Sequence, residues 1–515
     1  MTTSVRSTAR QGPGCFGGSG TRGAGIAQIA AVAGHPVLLI DANLERAEKA
    51  VALIAEQLQR EVSKDRLSKD DAAAATERIR SVHAIADLAK SPPCVLAIEA
   101  VVEGLDVKRS VLEQLEAVVT DSCLVATNTS SLSITRIGRG LRLSERFVGM
   151  HFFNPVPRMR LVEIVTGLAT TPSTAATATS YANAWGKTTV QVCSTPGFIV
   201  NRVARPFYGE ALRLLDERAA SPATIDAVLR DAGGFRMGPF ELTDLIGQDV
   251  NEKVTRTVWK ATGNDPRYAP SVSQVSLIDA GWWGRKTGRG FFRYDPAGAR
   301  RDTPAAVSPA VSLAEVVVRG DVGSIEPILR RSGLPLTRSE GPGFVELPGG
   351  AVMLSTDGSL ATAVAAQLHR PVVLLVLDRC LDPDSVTRIA VAPSDAIGSV
   401  ALAETAGLLA AAGITASVID DAPGLIAART VAMLVNEAFD GLHRGTASES
   451  DIDLAMRLGT NYPLGPFAWA ERWGHASVVT ILDNLAAVYG DGRYRVSPLL
   501  RRRALTTPTT ASDAP

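Results

Sequence analysis

Over the first two hundred residues the apolar positions fall into short, dense runs separated by stretches of helical period. Val37-Leu38-Leu39-Ile40, Val95-Leu96-Ala97-Ile98, Cys123-Leu124-Val125-Ala126 and Phe147-Val148-Gly149-Met150 are each bounded by turn-forming or polar residues. Runs of this length read as strands buried on both faces. Between them, Ala24–Ala33, Leu44–Leu58 and Ser68–Arg80 have helical spacing. Strands alternating with helices predict a mostly parallel sheet covered on both sides. One further strand, Leu161–Val165, carries Glu163 in the middle of an aliphatic run.

The pattern changes at Ser194-Thr195-Pro196-Gly197. From there Ile199, Val203, Phe207, Ala211 and Leu214 recur at helical spacing, and Gly238-Pro239-Phe240-Glu241-Leu242 opens another helix. Residues 296–312, rich in Ala, Arg, Pro and Ser, read as a linker. Residues 313–421 alternate again. Ala314–Val318, Ala351–Leu354, Val372–Leu377 and Ile414–Ile419 read as strands, with helices near Ser324–Arg331 and Ala396–Ala412.

The first helical segment then returns. Ser194–Arg202 aligns with Asp421–Arg429, Glu210-Ala211 with Glu437-Ala438, Ile225-Asp226 with Ile452-Asp453 and Gly238-Pro239-Phe240 with Gly465-Pro466-Phe467, all at one offset of 227 residues. A gapless register of that length marks a duplicated helical domain. The copy has Ala428 where the first has Asn201. The expected layout is an α/β domain over 1–192 (1–17 atypical), an all-α domain over 193–295 and the linker. A reduced α/β domain over 313–421, a second all-α domain over 422–502 and a disordered tail over 503–515 complete it.

At 515 residues several domains are expected. Lys plus Arg and Asp plus Glu are equal at 53 each, so no bulk field draws the chain to nucleic acid or an anionic membrane. The five cysteines are scattered without a C-x-x-C pair, which argues against a disulfide framework or zinc site and fits a reducing cytosol. No apolar run reaches the roughly 18 residues a spanning helix needs. The chain is expected to be cytoplasmic.

Candidate chemistry starts at Gly18-Ser19-Gly20-Thr21-Arg22-Gly23, a G-x-G-x-x-G that opens the helix from Ala24. Such glycines allow a tight turn and bring backbone N–H groups close to a pyrophosphate at a helix N-terminus. Asp41, at the end of the next strand, stands where an acid accepts a ribose 2′-hydroxyl and repels a 2′-phosphate, favouring NAD over NADP. Gly18, Gly20, Thr21, Arg22, Gly23 and Asp41 are therefore the expected cofactor residues. The preceding Gln11-Gly12-Pro13-Gly14-Cys15-Phe16-Gly17 is poor material for a central strand.

His151 ends the Phe147–Met150 strand, ahead of Phe152-Phe153-Asn154-Pro155. A carboxylate inside an apolar strand is costly unless paired, and the nearest partner for Glu163 is His151. A histidine held by a carboxylate is a general base with a fixed tautomer. The same spacing also fits a core histidine beside a satisfied acid. Gly20, Asp41, Glu103, Ser130 and His151 all fall just past the carboxyl ends of expected parallel strands, the edge where open α/β sheets bind ligands.

His151-Phe152-Phe153-Asn154-Pro155-Val156-Pro157, with Glu163 twelve residues on, resembles the catalytic segment of the 3-hydroxyacyl-CoA dehydrogenases, and the resemblance runs from about residue 18 to 294. It implies an NAD-dependent enzyme acting on an acyl-CoA, with His151, Glu163, Ser130 and Asn201 as the catalytic set. Ser130 and Asn201 would hydrogen-bond the substrate oxygens. Glu103 and Lys108, matching an E-x4-K pattern, would line the nicotinamide side, and Asn154 would help fix the loop and the cofactor. Lys64 would contact the CoA portion, although Gln57 stands where some members have serine. Lys286, in Gly284-Arg285-Lys286-Thr287-Gly288-Arg289-Gly290-Phe291, would contact the cofactor.

The tandem layout is similar to the long bacterial members of that family, including the 3-hydroxyadipyl-CoA type of phenylacetate degradation. It implies an internal pseudo-dimer of the two helical domains, with a homo-oligomer still open. No metal site is expected. Sugar-type two-domain NAD dehydrogenases are a weaker alternative, because they need a catalytic lysine or cysteine in other contexts. A non-catalytic acyl-CoA-binding paralogue is the alternative raised by the odd segment before Gly18.

Overall fold

The computed structural model describes residues 12–506 apart from residues 297, 310, 369–373 and 396. The chain falls into two compact units. One contains the residues up to Asn201 together with Gly445–Thr460, and the other contains Arg202–Arg444 with the residues from Asn461 onward.

The first unit is built on an eight-stranded sheet. Its strands are β1 (Gly14–Gly17), β2 (Val37–Ile40), β3 (Ile79–Val82), β4 (Leu96–Glu99), β5 (Leu124–Thr127), β6 (Phe147–Phe152), β7 (Leu161–Thr166) and β8 (Thr188–Cys193). Their order is β3-β2-β1-β4-β5-β6-β7-β8. All neighbours are parallel except β6 and β7, so the sheet is Rossmann-like with its switch point between β1 and β4.

The glycine-rich segment before Gly18 does form a central strand. Residues 14–17 are fully buried and pair on both sides, with Gly14–Gly17 opposite Val37–Ile40 and Leu96–Glu99. Two complete ladders compensate for weak strand propensity, a tertiary override of local preference. Pro13 lies outside the strand, where its carbonyl accepts the Val95 N–H at 3.0 Å. Phe16 packs edge-on against Trp185. Residues 1–11 of the segment lie outside the described residues.

After β2, helix Leu44–Val62 buries Ala47, Ala50, Ile54 and Leu58 on one face and is capped by Asn43. It turns into helix Lys69–Glu77, capped by Ser68. The helix Glu449–Thr460, expected as part of the second helical domain, groups instead with this first unit. The Cys193 N–H donates to the Thr446 carbonyl at 2.8 Å, and Gly459 lies so close to Leu161 and Val200 that a Cβ there would meet both at 2.9 Å.

The second unit holds the remaining helices of both copies and the intervening sheet. A small hairpin, β9 (Arg293–Asp295) with β10 (Gly298–Arg300), closes the first copy. Ahead of it, Asp244 is fully buried and accepts N–H groups from Phe291 and Phe292 and the Tyr294 hydroxyl. Gly290 is required there, because a Cβ would fall 1.9 Å from Asp244 Oδ1.

The second sheet has β11 (Val316–Arg319), β12 (Leu336–Ser339), β13 (Phe344–Glu346), β14 (Val352–Ser355), β15 (Leu374–Leu377), β16 (Arg388–Pro393) and β17 (Thr415–Val418). Their order is β12-β11-β13-β14-β15-β16-β17, with parallel and antiparallel pairs mixed. The last helix runs from Pro498 to Thr506, so residues 503–506 are helical rather than part of a tail. Residues 507–515 lie outside the described residues. Among the described residues no helix is long and apolar enough to cross a membrane.

Inside this unit the two copies exchange buried ion pairs. Arg202 Nε lies 2.6 Å from Glu437, and Arg429 Nε, its equivalent at the 227-residue offset, lies 3.1 Å from Glu210. Arg267 and Tyr268 complete the cluster on Glu437, as Arg493 and Tyr494 do on Glu210. Residue i of one copy meets residue j of the other and the converse also holds, which is the signature of a twofold interface. Burial raises the Glu210 carboxyl, but Arg493 and Arg429 more than offset this and hold it below the usual range.

Candidate active site

His151 and Glu163 sit directly opposite each other in the antiparallel β6–β7 pair. Opposed residues on such a pair project to the same face. His151 Nδ1 lies 2.6 Å from Glu163 Oε2, and both side chains are buried, at 2 % and 0 % exposure. A carboxylate only accepts, so Nδ1 carries the hydrogen and Nε2 is left free to take a proton. Phe153 and Phe198 flank the imidazole, with ring centroids at 4.4 and 5.8 Å.

The other oxygen, Glu163 Oε1, accepts the N–H groups of Ile199 and Val200, each at 3.0 Å. The turn before them makes this possible. Gly197 and Phe198 have φ of 79° and 53°, and the Phe198 value is one a bulky side chain rarely adopts. One residue further on, Asn201 Nδ2 donates to the Ser130 carbonyl at 3.0 Å.

Ser130 belongs to a loop organised by Glu103. Glu103 Oε1 accepts the Thr129 hydroxyl at 2.6 Å and the N–H groups of Ser130 and Ser131 at 2.9 and 3.1 Å. Burial raises the Glu103 carboxyl, but Lys108 and these donors outweigh it and keep it ionised below the usual range. Lys108 differs from expectation. Its side chain is 1 % exposed and its Nζ lies 2.8 Å from Glu99 and 3.3 Å from Glu103. It is spent on those carboxylates, so it reaches a ligand only through Glu103. Glu99 closes the chain by accepting the Thr127 hydroxyl at 2.6 Å.

Sequence reasoning missed Glu99 and Asn128. Asn128 Oδ1 accepts the Phe152 N–H at 2.8 Å and so ties the end of β5 to β6. Glu99, a carboxylate ending an apolar strand, carried the same signal that singled out Glu163.

A cavity of about 860 Å³ lies over the same sheet edge, lined by Gly18, Gly20, Thr21, Arg22, Asp41, Ala100 and Asn154 among others. Its floor fits a dinucleotide. Gly18 has φ of 106° and no room for a Cβ, which would fall 2.8 Å from the Ala100 carbonyl. A Cβ on Gly23 would fall 1.8 Å from the Gly18 carbonyl, whereas Gly20 faces open space. Asp41 Oδ2 accepts the Ser19 N–H and hydroxyl at 3.0 and 2.6 Å, and Oδ1 accepts the Asn43 N–H at 3.1 Å. Burial raises Asp41, but these donors hold its carboxyl below the usual range.

Lys64 lies elsewhere in this unit, on a second cavity of about 840 Å³ that is also lined by Gln57, Arg60, Arg66, Arg158, Arg160 and Lys187. Lys187 Nζ donates to the Val156 and Met159 carbonyls, and burial pushes its pKa down to about 8. Lys286 belongs to the second unit, where its ammonium pairs with Asp249 and lies 5.1 Å from the centre of the Trp283 ring.

The last four strands of the second sheet repeat the parallel–antiparallel–parallel pairing of β5–β8, without the His–Glu pair. With the 227-residue offset applied to β17 and the strand registers followed back, Asp378 takes the place of His151 and Ala390 that of Glu163. Asp378 instead accepts N–H groups of Ile426, Ala427 and Ala428 directly.

A Rossmann-type sheet, a glycine cradle with a following acid, and a His–Glu pair at the same edge define an NAD-dependent oxidoreductase. Residues 15–195 match the family described as 3-hydroxyacyl-CoA dehydrogenase, NAD binding domain, and residues 197–294 and 424–509 match its C-terminal domain. Residues 353–423 match the 3-hydroxybutyryl-CoA dehydrogenase reduced Rossmann-fold domain. The chain is 41% identical over 501 residues to 3-hydroxyadipyl-CoA dehydrogenase of Escherichia coli, covering 95% of this chain and 96% of that protein. A crystal structure of 3-hydroxybutyryl-CoA dehydrogenase from Escherichia coli superposes with a TM-score of 0.87 at 40% identity, covering 96% of this chain and 98% of that one. The (S)-3-hydroxybutyryl-CoA dehydrogenase of Ralstonia eutropha matches with a TM-score of 0.53 at 38% identity, over 55% of this chain and 99% of its own. The chain belongs to the 3-hydroxyacyl-CoA dehydrogenase family and is an NAD-dependent enzyme of it.

Asp41→Ala removes the carboxylate that anchors Ser19 and faces the cavity. Losing one or two hydrogen bonds to a charged group raises the KM for NADH by about tenfold or more. The preference for NADH over NADPH should narrow at the same time, read from initial rates with each cofactor.

Proposed function

We propose that the chain catalyses reversible oxidation of an (S)-3-hydroxyacyl-CoA to the 3-oxoacyl-CoA, with His151 as general base. NAD, when bound, accepts the hydride from C3. His151 Nε2 takes the proton of the C3 hydroxyl. Glu163 holds the imidazole through Nδ1 and stabilises its charged form. The Ser130 hydroxyl and Asn201 amide hydrogen-bond the substrate oxygens, and Asn154 fixes the loop beside the cofactor cavity. The observation that carries this reading is the buried 2.6 Å contact between His151 and Glu163. The basic cavity around Lys64 suits the phosphates of CoA.

The reaction class serves degradation of fatty acids or of aromatic acids by a phenylacetate-type route. The name of the Escherichia coli relative, 3-hydroxyadipyl-CoA dehydrogenase, supports a substrate that carries a second carboxylate. The paired β1 strand removes the reason for reading the chain as a non-catalytic paralogue.

We also infer that the second helical copy stands in for the partner subunit of a dimer, which the reciprocal Arg202–Glu437 and Arg429–Glu210 pairs support. A chain ended at residue 295 would leave Arg202 and Glu210 without these partners and should aggregate or self-associate in size-exclusion chromatography. A monomeric, soluble and fully active truncate would contradict the inference. For the chemistry, His151→Ala should lower turnover of NADH with acetoacetyl-CoA by about 10²–10⁴-fold, the usual contribution of a positioned base. Its thermal midpoint should stay close to that of the parent, and near-full activity would overturn the assignment.

A further inference from the structure

Lys187 is a buried cation that no sequence motif singled out. It stands just before β8, at 9 % exposure, on the wall of the basic cavity. Its Nζ donates to the Val156 and Met159 carbonyls at 2.6 and 2.8 Å. An ammonium has three N–H donors, so one is left over. The other charged groups on this cavity are Arg60, Glu61, Lys64, Arg66, Arg158 and Arg160. Arg60 pairs with Glu56 and Arg66 with Glu61. Lys64, Arg158, Arg160 and Lys187 form no ion pair among the described residues. Holding two carbonyls needs no charge, and a buried cation among other cations is costly without an anion. Burial pushes the Lys187 pKa down to about 8 for that reason.

The segment that Lys187 holds faces both cavities of this unit. Asn154 lines the dinucleotide cavity, whereas Pro155, Pro157, Arg158 and Arg160 line the basic one. Val156, between them, is buried against the helix Thr21–Val32 that follows the glycine turn, where a Cβ on Gly25 would fall 2.7 Å from it. Whatever fixes the Val156 and Met159 carbonyls therefore bears on Asn154 and on the cofactor helix together.

We propose that Lys187 is a positioning residue that couples the two cavities. Its third N–H takes a phosphate oxygen of the CoA portion while the other two keep their carbonyls, so that acyl-CoA and dinucleotide each bind more tightly in the presence of the other. An ammonium is a stronger donor to those carbonyls than an amine. An anion beside it favours the charged form, so the complex keeps the proton at pH values above about 8, where the cavity without an anion loses it. Below about pH 7 both states hold the proton and binding takes up none. This coupling rests on the acyl-CoA reading of the basic cavity.

Acetyl-CoA is the probe, because it carries the CoA phosphates and no 3-oxo group to reduce. At about pH 8.5, saturating acetyl-CoA should lower the Kd for NADH by about fivefold or more, read by energy transfer from protein to cofactor fluorescence. Calorimetric titration with acetyl-CoA at about pH 8.5, in buffers of different ionisation enthalpy, should show uptake of about half a proton or more, and close to none at about pH 7. Lys187→Met should abolish both effects. Lys64→Met should weaken acetyl-CoA binding and keep the proton uptake. A residue that only braces the loop would move neither linkage. A wild-type NADH affinity unmoved by bound acetyl-CoA, or the absence of wild-type proton uptake, overturns the proposal whether or not the variants fold. Either effect persisting in a folded Lys187→Met overturns it too, as does uptake lost with Lys64→Met. Acetyl-CoA that fails to bind, or that binds Lys64→Met as tightly as the parent, would instead refute the acyl-CoA reading of the cavity, and the coupling with it.

Discussion

The site depends on one buried carboxylate with both oxygens committed. Glu163 receives the His151 imidazole on one oxygen and the Ile199 and Val200 N–H groups on the other. An ionised carboxylate at 0 % exposure is tolerated only with such partners. The same group therefore fixes the tautomer of His151 and the start of the helix that carries Asn201. The positions of the His151 imidazole and the Asn201 amide are not independent variables in this fold.

A second chain of polar contacts does the corresponding work on the other side of the edge. Thr127, Glu99, Lys108 and Glu103 run from β5 through β4 to the loop of Thr129–Ser131, each satisfied by the next. Asn201 then reaches that loop at the Ser130 carbonyl. The two chains meet where Asn201 joins the Ser130 carbonyl. Fully satisfied buried networks of this kind hold one arrangement against alternatives.

Much of this was legible from the residues. Apolar runs located every strand of the first sheet except β1, β3 and β8, and an acid inside an apolar run marked Glu163 correctly. The same rule applied to Glu99 would have revealed why Lys108 is buried. β1 was hard to read because its stability comes from two neighbouring ladders and not from Gly-Cys-Phe-Gly itself. In the second sheet β12 is a polar edge strand, β13 has three residues and β16 is alanine-rich, so none gave a strong period. The repeat showed Arg202 aligned with Arg429 and Glu210 with Glu437. That each arginine meets the other copy's glutamate is a tertiary fact no linear pattern contains. The placement of Glu449–Thr460 with the first unit was beyond sequence reading for the same reason.

Glu163→Gln probes the shared carboxylate most directly. The amide oxygen still accepts the Ile199 and Val200 N–H groups, while its nitrogen can no longer accept from His151 Nδ1. Single-turnover oxidation of NADH with acetoacetyl-CoA should then slow by about 10²–10⁴-fold, the loss expected when a base is misoriented, with NADH affinity and thermal midpoint near those of the parent. A Glu163→Gln enzyme turning over at the parental rate would contradict the account.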